Sequence, residues 1–337
     1  MRITDLRERL RALGAKPCHE RRVMRAWLLG GPLDAGGRQK QAAAFLPLPL
    51  RRALPRLADQ LDRLARPHSS HAGGDGAKRL LVRLDDGQTV ESVLLPRAGV
   101  CVSTQVGCAV GCLFCMTGKG GLSRQLGGAE ILAQVVLARR LRPVKKVVFM
   151  GMGEPAHNLD QVLGAVDLLG GEGGIAHKNL VFSTVGDRRV FERLPLGRVK
   201  PALALSLHTI DSGLRAHLLP WAPRVAPEEL IELGEKYARA TSYPIQYQWT
   251  LLDGINDSID EADRLARLLA GKYAMINYIP FNAVAGTGFR RPDPRRAGAL
   301  VAHLRRRGIV ACLRDSAGQD IDGGCGQLRS RALGLGE

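Results

Sequence analysis

From about residue 100 onwards, the sequence alternates between short apolar runs and longer amphipathic segments. Strands are predicted at 100–104, 146–150, 179–183, 202–206, 245–252 and 274–279. Helices are predicted between and after them, at 128–141, 158–169, 226–240, 258–270 and 295–307. Because repeated strand–helix units build a parallel sheet with crossover helices, this pattern predicts an α/β protein with an open or partial (β/α)6 barrel.

Residues with binding or catalytic chemistry follow the ends of the predicted strands. Ligand sites in such folds gather at the carboxyl ends of the strands. In this chain those ends carry a cysteine-rich loop at 107–116, a Gly-Met-Gly-Glu-Pro segment at 151–155, Ser183, a Ser-Leu-His segment at 206–208, and Asn282. The shared position predicts a single site at one edge of the sheet.

The cysteine-rich loop, Gly-Cys-Ala-Val-Gly-Cys-Leu-Phe-Cys-Met, spaces Cys108, Cys112 and Cys115 as C-x3-C-x2-C. Thiolates suit iron–sulfur clusters, and four cysteines usually close a cluster. Three cysteines predict a [4Fe-4S] cluster with one iron open to a small molecule, as catalytic zinc sites keep one position open. Zinc is the alternative, since Cys112 and Cys115 alone form a half-site. However, a zinc ribbon needs a second ligand pair, and the sequence contains no other C-x2-C and no H-x3-H.

Composition points to a large globular protein with an anionic partner. The 337 residues are 45% hydrophobic, which is enough to bury a full core. Lys and Arg outnumber Asp and Glu by 49 to 32, and the formal charge of +17 favours nucleic acid as the partner. Aromatic residues are only 4% of the chain, so phosphate contacts are expected to dominate over base stacking. A merely solvated basic surface is the alternative.

The sequence also predicts a compartment. No apolar run approaches the roughly 20 residues of a membrane-spanning helix, and the first residues lack the apolar region of a signal peptide. We therefore expect a cytoplasmic protein without membrane association. Seven cysteines in such a compartment are expected to serve chemistry and not a structural disulfide framework.

The barrel, expected at 100–313, is flanked by other predicted regions. Residues 1–66 have apolar positions at helical spacing and carry 15 Lys and Arg against 6 Asp and Glu, which predicts a small, basic, helical accessory domain. Residues 314–337 are expected to form a C-terminal segment. The densest group of arginines, expected to bind phosphates or to be simply solvated, comprises residues 290, 291, 295, 296, 305, 306 and 307.

Residues 67–99 are predicted to form a linker and a β-hairpin extension. The stretch 67–76, Pro-His-Ser-Ser-His-Ala-Gly-Gly-Asp-Gly, is typical of a linker or an exposed loop. Two alternating segments then follow, at 79–84 and 89–95, and the Asp-Asp-Gly-Gln between them predicts the hairpin turn.

The strand-end motifs suggest specific binding roles. In Gly-Met-Gly-Glu-Pro, the glycines let the backbone approach a ligand, and the Glu154 carboxylate could accept from an ammonium group. Gly-x-Gly before a proline is also typical of an ordinary turn. The ligand-binding interpretation therefore depends on the position of the motif, one strand after the cysteine loop. Capping of a strand end is the alternative for the remaining polar residues, Ser183, Ser206, His208 and Asn282.

Two further cysteines are candidates for chemistry. Cys325 is flanked by glycines, which offer little local packing, so an exposed thiol able to act as a nucleophile is favoured over a buried structural role. Cys101 lies seven residues before Cys108. In contrast, Cys312 in Ile-Val-Ala-Cys-Leu is expected to pack in the core, and Cys18 has no partner pattern.

Together, the cysteine loop, Gly-Met-Gly-Glu-Pro, Ser-Leu-His and the Cys-Gly-Gln-Leu of 325–328 resemble the RlmN/Cfr family of radical S-adenosylmethionine (SAM) RNA methyltransferases. The resemblance covers about 91–329 and implies a partial radical SAM barrel. It implies that the three loop cysteines hold the cluster and that the amino and carboxylate groups of SAM occupy the open iron. The SAM contacts that it implies are Gly153, Glu154, Ser183, Ser206, Leu207, His208 and Asn282.

The resemblance also implies a substrate and a mechanism. The target is an adenine ring carbon, C2 or C8, in ribosomal RNA or, for some members, transfer RNA; we expect C2. Cys325 takes a methyl group from one SAM, a second SAM yields a 5′-deoxyadenosyl radical that removes hydrogen from that methyl group, and the carbon radical adds to the ring. Cys101 then releases the product by forming a disulfide with Cys325, and either Cys101 or Glu91 removes the ring proton.

Two other function classes remain open at this stage. One is a radical SAM enzyme that acts on a peptide or a small molecule, and the other is a non-enzymatic iron–sulfur or zinc protein that binds RNA. A radical SAM enzyme also implies a reductase system such as flavodoxin as an electron donor. We expect a monomer.

Overall fold

The computed structural model describes residues 1–34, 45–283, 286–318 and 326–332. The described strands are β1 (Arg66–Ala72), β2 (Lys78–Arg83), β3 (Thr89–Leu95), β4 (Gly99–Cys101), β5 (Gln105–Gly107), β6 (Leu122–Gln125), β7 (Lys146–Phe149), β8 (Leu180–Thr184), β9 (Ala202–Ser206), β10 (Ile245–Leu251), β11 (Ala274–Pro280) and β12 (Val310–Leu313). Ten of them form one sheet in the order β1-β2-β3-β4-β7-β8-β9-β10-β11-β12, and β5 pairs with β6 in a second, small sheet.

The described α-helices cover the sheet and the chain ends. They are α1 (Ile3–Ala12), α2 (Pro17–Leu28), α3 (Leu48–Arg63), α4 (Met116–Lys119), α5 (Gly128–Leu141), α6 (Leu159–Gly170), α7 (Arg188–Arg193), α8 (Ser212–Leu218), α9 (Pro227–Thr241), α10 (Ile259–Leu269), α11 (Pro294–Arg306) and α12 (Gln327–Ala332). None of the helices in the described ranges is both long enough and apolar enough to cross a membrane.

The barrel consists of the parallel strands β4, β7, β8, β9, β10, β11 and β12. Its strands are rich in Val, Ile, Leu and Ala because parallel strands are covered on both faces. This confirms the predicted α/β partial barrel, with one parallel strand more than the six predicted. The additional strand, β12, is short and carries Cys312, which is partly exposed at the edge of the sheet and not in the core as expected.

The predicted crossover helices are confirmed within one or two residues at each end, as α5, α6, α9, α10 and α11. Two short helices, α7 and α8, were not predicted because each has room for fewer than two full helical periods. Both begin at an aspartate whose side chain accepts from the helix backbone: Asp187 from the Arg189 amide and Asp211 from the Leu214 amide.

The N-terminal helices α1, α2 and α3 pack on the barrel through α5. Eleven residues of α5, from Gly128 to Ala138, are buried, so this helix is covered all round and not on one face only. The N-terminal side chains Leu6, Trp27 and Leu57 belong to the same continuous core as Leu132 of α5. These three helices therefore complete the burial of a barrel helix.

The antiparallel strands β1, β2 and β3 extend the barrel sheet beyond β4. The predicted hairpin is confirmed as β2 and β3. The stretch 67–76 is exposed as expected, but most of it is the edge strand β1 and not a linker or loop. Its His and Ser residues gave no apolar alternation, because both faces of this edge strand meet solvent.

The cysteine-rich loop lies between β5 and β6. Gly107 of β5 pairs with Leu122 of β6, and the Cys108 amide donates to the Gly121 carbonyl at 2.9 Å. Gly107 has φ 86°, and a Cβ there would lie 1.9 Å from the Gly121 carbonyl oxygen. Only glycine fits this position, so the residue before the first loop cysteine fixes where the loop leaves the sheet.

Substitutions of two adjacent leucines at the end of α2 can test whether the N-terminal helices share the core of the barrel. Leu28 is fully buried and Leu29 is half exposed. Replacing Leu28 with Ala should lower the free energy of unfolding by about 2–5 kcal/mol, because it removes core contacts and leaves a cavity. Leu29→Ala is the matched control and should change it by less than about 0.5 kcal/mol. Urea unfolding followed by circular dichroism measures both, and equal effects would contradict this packing.

Candidate active site at the carboxyl ends of the strands

The three loop cysteines lie close together in a tight, partly buried turn. The Cys115 amide donates to the Cys112 carbonyl at 3.0 Å, and the Gly118 amide donates to the Cys115 carbonyl at 3.1 Å. All three thiols are free. Burial raises the pKa of the Cys108 thiol to about 12, and burial together with the neighbouring thiols raises the pKa of Cys112.

This donor set fits a cluster better than a single ion. A zinc ion needs its ligand atoms about 2.0–2.3 Å away, so they must converge on one point. Within the described ranges, no group of three or more Cys, His, Asp or Glu side chains is arranged to hold a single metal ion. In an iron–sulfur cluster each thiolate binds a different iron, which allows the wider spacing of a C-x3-C-x2-C loop. Three soft ligands grouped in a desolvated turn therefore suit a cluster.

Glu154 reaches from the end of β7 into the interior of the site and is 5% exposed. Its carboxylate oxygens accept from the Ala156 amide at 3.1 Å and from the Val185 amide at 3.0 Å. Burial is the main cause that raises the pKa of Glu154 to about 7, and the hydrogen bonds from Thr184 and these amides oppose it. A cation beside Glu154 would stabilise its ionised carboxylate. The ammonium group of a ligand could act as this cation.

The glycines of the Gly-Met-Gly-Glu-Pro segment serve packing against the protein itself. A Cβ on Gly151 would lie 2.7 Å from the Val102 carbonyl, and a Cβ on Gly153, which has φ 102°, would lie 2.5 Å from the Gln105 side chain. The Glu154 amide donates to Gln105 Oε1 at 2.7 Å. The strand-end segment is therefore fastened to the chain that leads into the cysteine loop. The approach of a ligand to these glycines stays a prediction.

The Ser-Leu-His segment contacts the cysteine loop through His208. The His208 ring packs edge-on against Phe114, between Cys112 and Cys115, with ring centroids 4.8 Å apart. Its backbone is left-handed at φ 65°, and the Asn256 side chain holds it by donating to the His208 carbonyl at 2.7 Å. Burial lowers the pKa of His208 to about 3, so the ring is neutral. Nδ1 accepts from the Thr250 amide, so Nε2 carries the proton and is a donor.

Arg215 of α8 is a buried cation that the sequence analysis missed. Its guanidinium donates to the Val185 carbonyl and, at 3.2 Å, to the Ser206 carbonyl, so it joins the ends of β8 and β9. Burial lowers the pKa of Arg215 to about 10, while Cys112 and Glu154 raise it, so the charge is retained at neutral pH. Its place in a short helix gives no sequence signal that separates it from a surface arginine.

The other predicted SAM residues lie around the same edge. Ser183 of β8 is partly exposed beside Ala204 of β9, and Leu207 is fully buried with its amide bonded to the Gln248 carbonyl at 3.0 Å. Asn282 follows β11, and its side chain donates to Ser316 Oγ at 2.6 Å. Of the strand-end residues, Glu154 and His208 lie against the cysteine loop, and the SAM-binding roles of all of them stay predictions.

Cys101 lies deeper, inside the barrel. It sits on β4 opposite Val93 of β3, is 8% exposed, and burial raises its pKa to about 12. It faces a cavity of about 530 Å³. The polar and charged residues that line this cavity include Arg79, Glu91, Gln248, Asn277, Lys146 and Arg314.

Glu91 of β3 faces the same cavity. Burial is the main cause that raises the pKa of the Cys101 and Cys115 thiols, and the nearby Glu91 adds to it. Glu91 is 2% exposed and forms a buried ion pair with Arg79 at 3.3 Å. Glu91 was expected on a hairpin strand, and its burial was not predicted. Cys325 itself lies outside the described residues, but its neighbour Gly326 donates to Glu91 Oε2 at 3.1 Å.

The arginines at 290–307 are mostly paired with acidic groups. Ion pairs join Arg290 to Asp253, Arg291 to Asp315, Arg296 to Asp257 and Arg307 to Asp263. This stretch is therefore less cationic than its sequence suggests, because a local carboxylate offsets each of these four charges.

Known proteins with similar sequence and structure agree with this geometry. The model of the radical SAM superfamily matches residues 102–268, which include the cysteine loop. A protein of Thiobacillus denitrificans named probable RNA methyltransferase is 69% identical over 99% of this chain and 91% of that protein, and one of Azoarcus is 68% identical over 99% and 95%. This chain belongs to the radical SAM superfamily.

The crystal structure of a radical SAM methyltransferase from Sphaerobacter thermophilus is similar to this structure over nearly the whole chain. It is 36% identical, has a TM-score of 0.81, and the match covers 97% of each chain. Membership of the radical SAM superfamily confirms the predicted [4Fe-4S] cluster and SAM as cofactors, and confirms that the protein is an enzyme.

The cysteine loop can be tested against another cysteine of the barrel. Cys115→Ala should remove most of the iron and the visible absorption of the reconstituted protein. The cluster already has only three protein ligands, and the loss of one thiolate would leave two. Cys312→Ala is the matched control and should keep both, since Cys312 lies on the edge strand β12. Iron and sulfide assays measure the outcome; full iron retention in Cys115→Ala would contradict the ligand set.

Proposed function

We propose that the chain is an RlmN/Cfr-type enzyme that methylates an adenine ring carbon in RNA, at C2, through an S-methylcysteine at Cys325 and with two SAM molecules. RNA as the substrate class is supported by the names of the relatives, probable RNA methyltransferases, and by the formal charge of +17. Ribosomal RNA is the first substrate to test, transfer RNA the second, and C8 the alternative ring position.

A radical route suits this target. An adenine C2 is an electron-poor carbon, so it cannot attack a sulfonium as an oxygen or nitrogen nucleophile would. When bound, the cluster and SAM supply a 5′-deoxyadenosyl radical that can remove a hydrogen atom. Cys108, Cys112 and Cys115 would hold the cluster. Glu154 would accept from the amino group of SAM, with the other strand-end residues, Gly153, Ser183, Ser206, Leu207, His208 and Asn282, around the rest of the molecule.

The two cysteines outside the loop would carry the methyl group and release the product. Cys325 Sγ takes a methyl group from one SAM, loses one hydrogen from it, and bonds through that carbon to the ring. The adduct would then give up one electron, for which the oxidised cluster would be the acceptor, and the ring proton, for which Cys101 or Glu91 would be the base. Cys101 Sγ then attacks Cys325 Sγ, and the sulfur–carbon bond breaks with its electron pair and a proton going to the new methyl group. The resulting disulfide needs two electrons from a reductant before the next turnover.

The observation that carries this proposal is the place of Gly326. A Cβ on Gly326 would lie 2.4 Å from Thr117 Oγ1, and Thr117 is two residues beyond Cys115. On its other side, Gly326 donates to Glu91, which faces the cavity with Cys101. Gly326, the residue bonded to Cys325, therefore lies beside both the cysteine loop and the cavity that Cys101 faces.

The regions outside the site would serve the RNA and the electron supply. We propose that the helical region 1–66 helps to bind RNA, that 67–99 extends the sheet, that 100–313 is the barrel, and that 314–337 carries the methylated cysteine. A flavodoxin-class reductase would supply electrons. The enzyme would act as a monomer in the cytoplasm.

Methyl transfer to Cys325 is the experiment that tests this proposal. The protein is purified without oxygen, its cluster is reconstituted, and SAM is added alone. Mass spectrometry should find one added methyl group on the peptide that contains Cys325, because this step precedes RNA binding in the proposed mechanism. The Cys325→Ala variant should gain none, and Cys312→Ala should gain the methyl group as the wild type does.

An unmethylated Cys325 in protein with a full cluster and native circular dichroism would contradict the proposal. In that case the enzyme would be a radical SAM enzyme with other chemistry, and a peptide or small-molecule substrate would be tested next.

A further inference from the structure

An exposed tryptophan lies directly on the cysteine-rich loop. Trp221 follows α8 in the chain and is 73% exposed. Its amide donates to the Val110 carbonyl at 3.2 Å, which fastens its backbone to the loop. A Cβ on Gly111 would lie 3.0 Å from Cδ1 of the indole, so the ring covers the residue bonded to Cys112. A large aromatic ring is therefore held between solvent and the loop of the predicted cluster ligands.

The other two tryptophans of the chain occupy a different environment. Trp27 and Trp249 are both buried in the main core. Burial of a tryptophan is favourable because its apolar surface is large. An exposed tryptophan leaves that surface in water, and tryptophan is among the residues that most often carry the binding free energy of protein interfaces. The environment of Trp221 is therefore that of a contact residue and not that of a core residue.

A small apolar cluster joins the tryptophan to the loop cysteines. It contains Ala222, the residue after the tryptophan, together with Val110 of the loop. Cys108 and Cys112 pack against the same cluster. One group of side chains therefore reaches from the surface at the tryptophan to two of the predicted cluster ligands.

Two exposed cations flank this tryptophan. Arg224 lies three residues further along the chain and donates to the Pro220 carbonyl at 3.4 Å. Lys119 ends α4 and follows Gly118, where a Cβ would lie 3.0 Å from the carbonyl carbon of Gly111. The indole and these two cations form what we call the Trp221 surface. An aromatic ring beside cations fits an acidic protein partner, since complementary charge guides such partners together.

We infer that the Trp221 surface docks the flavin-carrying protein that reduces the cluster. Electron-transfer partners bind through small, transient interfaces, which suits a surface of one aromatic ring and two cations. An RNA surface would need a wider field of cations, because phosphate contacts supply most of its affinity. The inference rests on the proposed function, which assigns the electron supply to a flavodoxin-class reductase.

The step that this surface supports is the transfer of one electron. The reduced flavin of the partner loses the electron, and the oxidised cluster held by Cys108, Cys112 and Cys115 gains it. No bond of this chain forms or breaks in this step. The Trp221 surface would act by holding the partner against the cysteine loop. A small reductant such as dithionite reaches the cluster without docking, so the two reductants separate docking from the rest of the reaction.

Trp221→Ala and Arg224→Glu test this inference. The first removes the ring and keeps the backbone amide that binds Val110, and the second reverses a charge outside the loop, should the first variant disturb the loop. Leu196→Ala and Arg198→Glu are the matched controls. Leu196 is 83% exposed and Arg198 is also exposed, and both lie in the connection that leads to the amino end of β9, whereas the site lies at the carboxyl ends.

The first measurement is binding, which needs no turnover. Reconstituted protein is titrated with oxidised flavodoxin that carries FMN, by isothermal titration calorimetry. Trp221→Ala should raise the Kd about 10- to 30-fold, as for a central interface tryptophan, and Arg224→Glu should raise it about 3- to 10-fold. Leu196→Ala and Arg198→Glu should bind as the wild type does. Filter binding of total ribosomal RNA should be the same for the wild type and Trp221→Ala.

The second measurement is the rate at which the cluster is reduced, followed by its visible absorption. With limiting reduced flavodoxin, Trp221→Ala should be reduced about 10-fold more slowly than the wild type. With dithionite, both proteins should be reduced at the same rate and should form 5′-deoxyadenosine from SAM at the same rate. Arg224→Glu should also show a weaker dependence of the flavodoxin reaction on salt, because one attractive charge is lost.

Three results would overturn the inference. The first is an unchanged Kd for flavodoxin in both Trp221→Ala and Arg224→Glu. The second is an unchanged Kd with slower dithionite-driven SAM cleavage in Trp221→Ala, which would make the ring a support of the loop. The third is an unchanged Kd with weaker RNA binding in Trp221→Ala, which would make the surface an RNA site.

The wild type separates this inference from the proposed function. If dithionite reduces the wild-type cluster but flavodoxin neither binds nor reduces it, the inference and the proposed reductase class fail together, and the proposed methyl transfer stands. If flavodoxin reduces the wild type and Cys325 gains no methyl group, the proposed methyl transfer fails and the docking surface stands.

Discussion

The site depends on holding three cysteine thiols together in a partly buried turn. Thiols that are buried in this way resist ionisation, as the raised pKa values of Cys108 and Cys112 indicate, so the loop needs support from outside itself. That support comes from the neighbouring strand ends. The Leu113 amide donates to the Leu218 carbonyl at 3.1 Å, the Trp221 amide donates to the Val110 carbonyl at 3.2 Å, and His208 packs on Phe114. Metal binding would then favour the thiolate and offset the cost of burial.

The same strand ends balance the charges that a cluster and SAM bring. Glu154 and Arg215 are both buried and lie close enough to Cys112 to change its environment. A buried carboxylate that keeps a pKa of about 7 responds strongly to a nearby cation, and a buried guanidinium stabilises nearby thiolates. Both groups are held by backbone amides or carbonyls, so they have little freedom to move when a ligand arrives.

Much of the barrel could be predicted from the sequence because its elements follow simple periodicity. The apolar runs of β7 to β11 and the amphipathic helices between them needed no tertiary information. The edge strand β1 was missed because a strand with solvent on both faces has no apolar alternation. The apolar run of β12 was also missed, although β7 is equally short and was found. Within the site, motif residues such as Glu154 were found. Arg215 and the burial of Glu91 were not, because both depend on contacts between segments that are distant in the chain.

The central claim is that Cys325 carries the methyl group and that a radical forms on that group before it reaches RNA. SAM with three deuterium atoms on its methyl group tests this most directly, with RNA from cells that lack this gene. The account predicts a new RNA methyl group with two deuterium atoms and 5′-deoxyadenosine with one. An RNA methyl group that keeps all three deuterium atoms, with unlabelled 5′-deoxyadenosine, would show direct transfer from SAM and contradict the account.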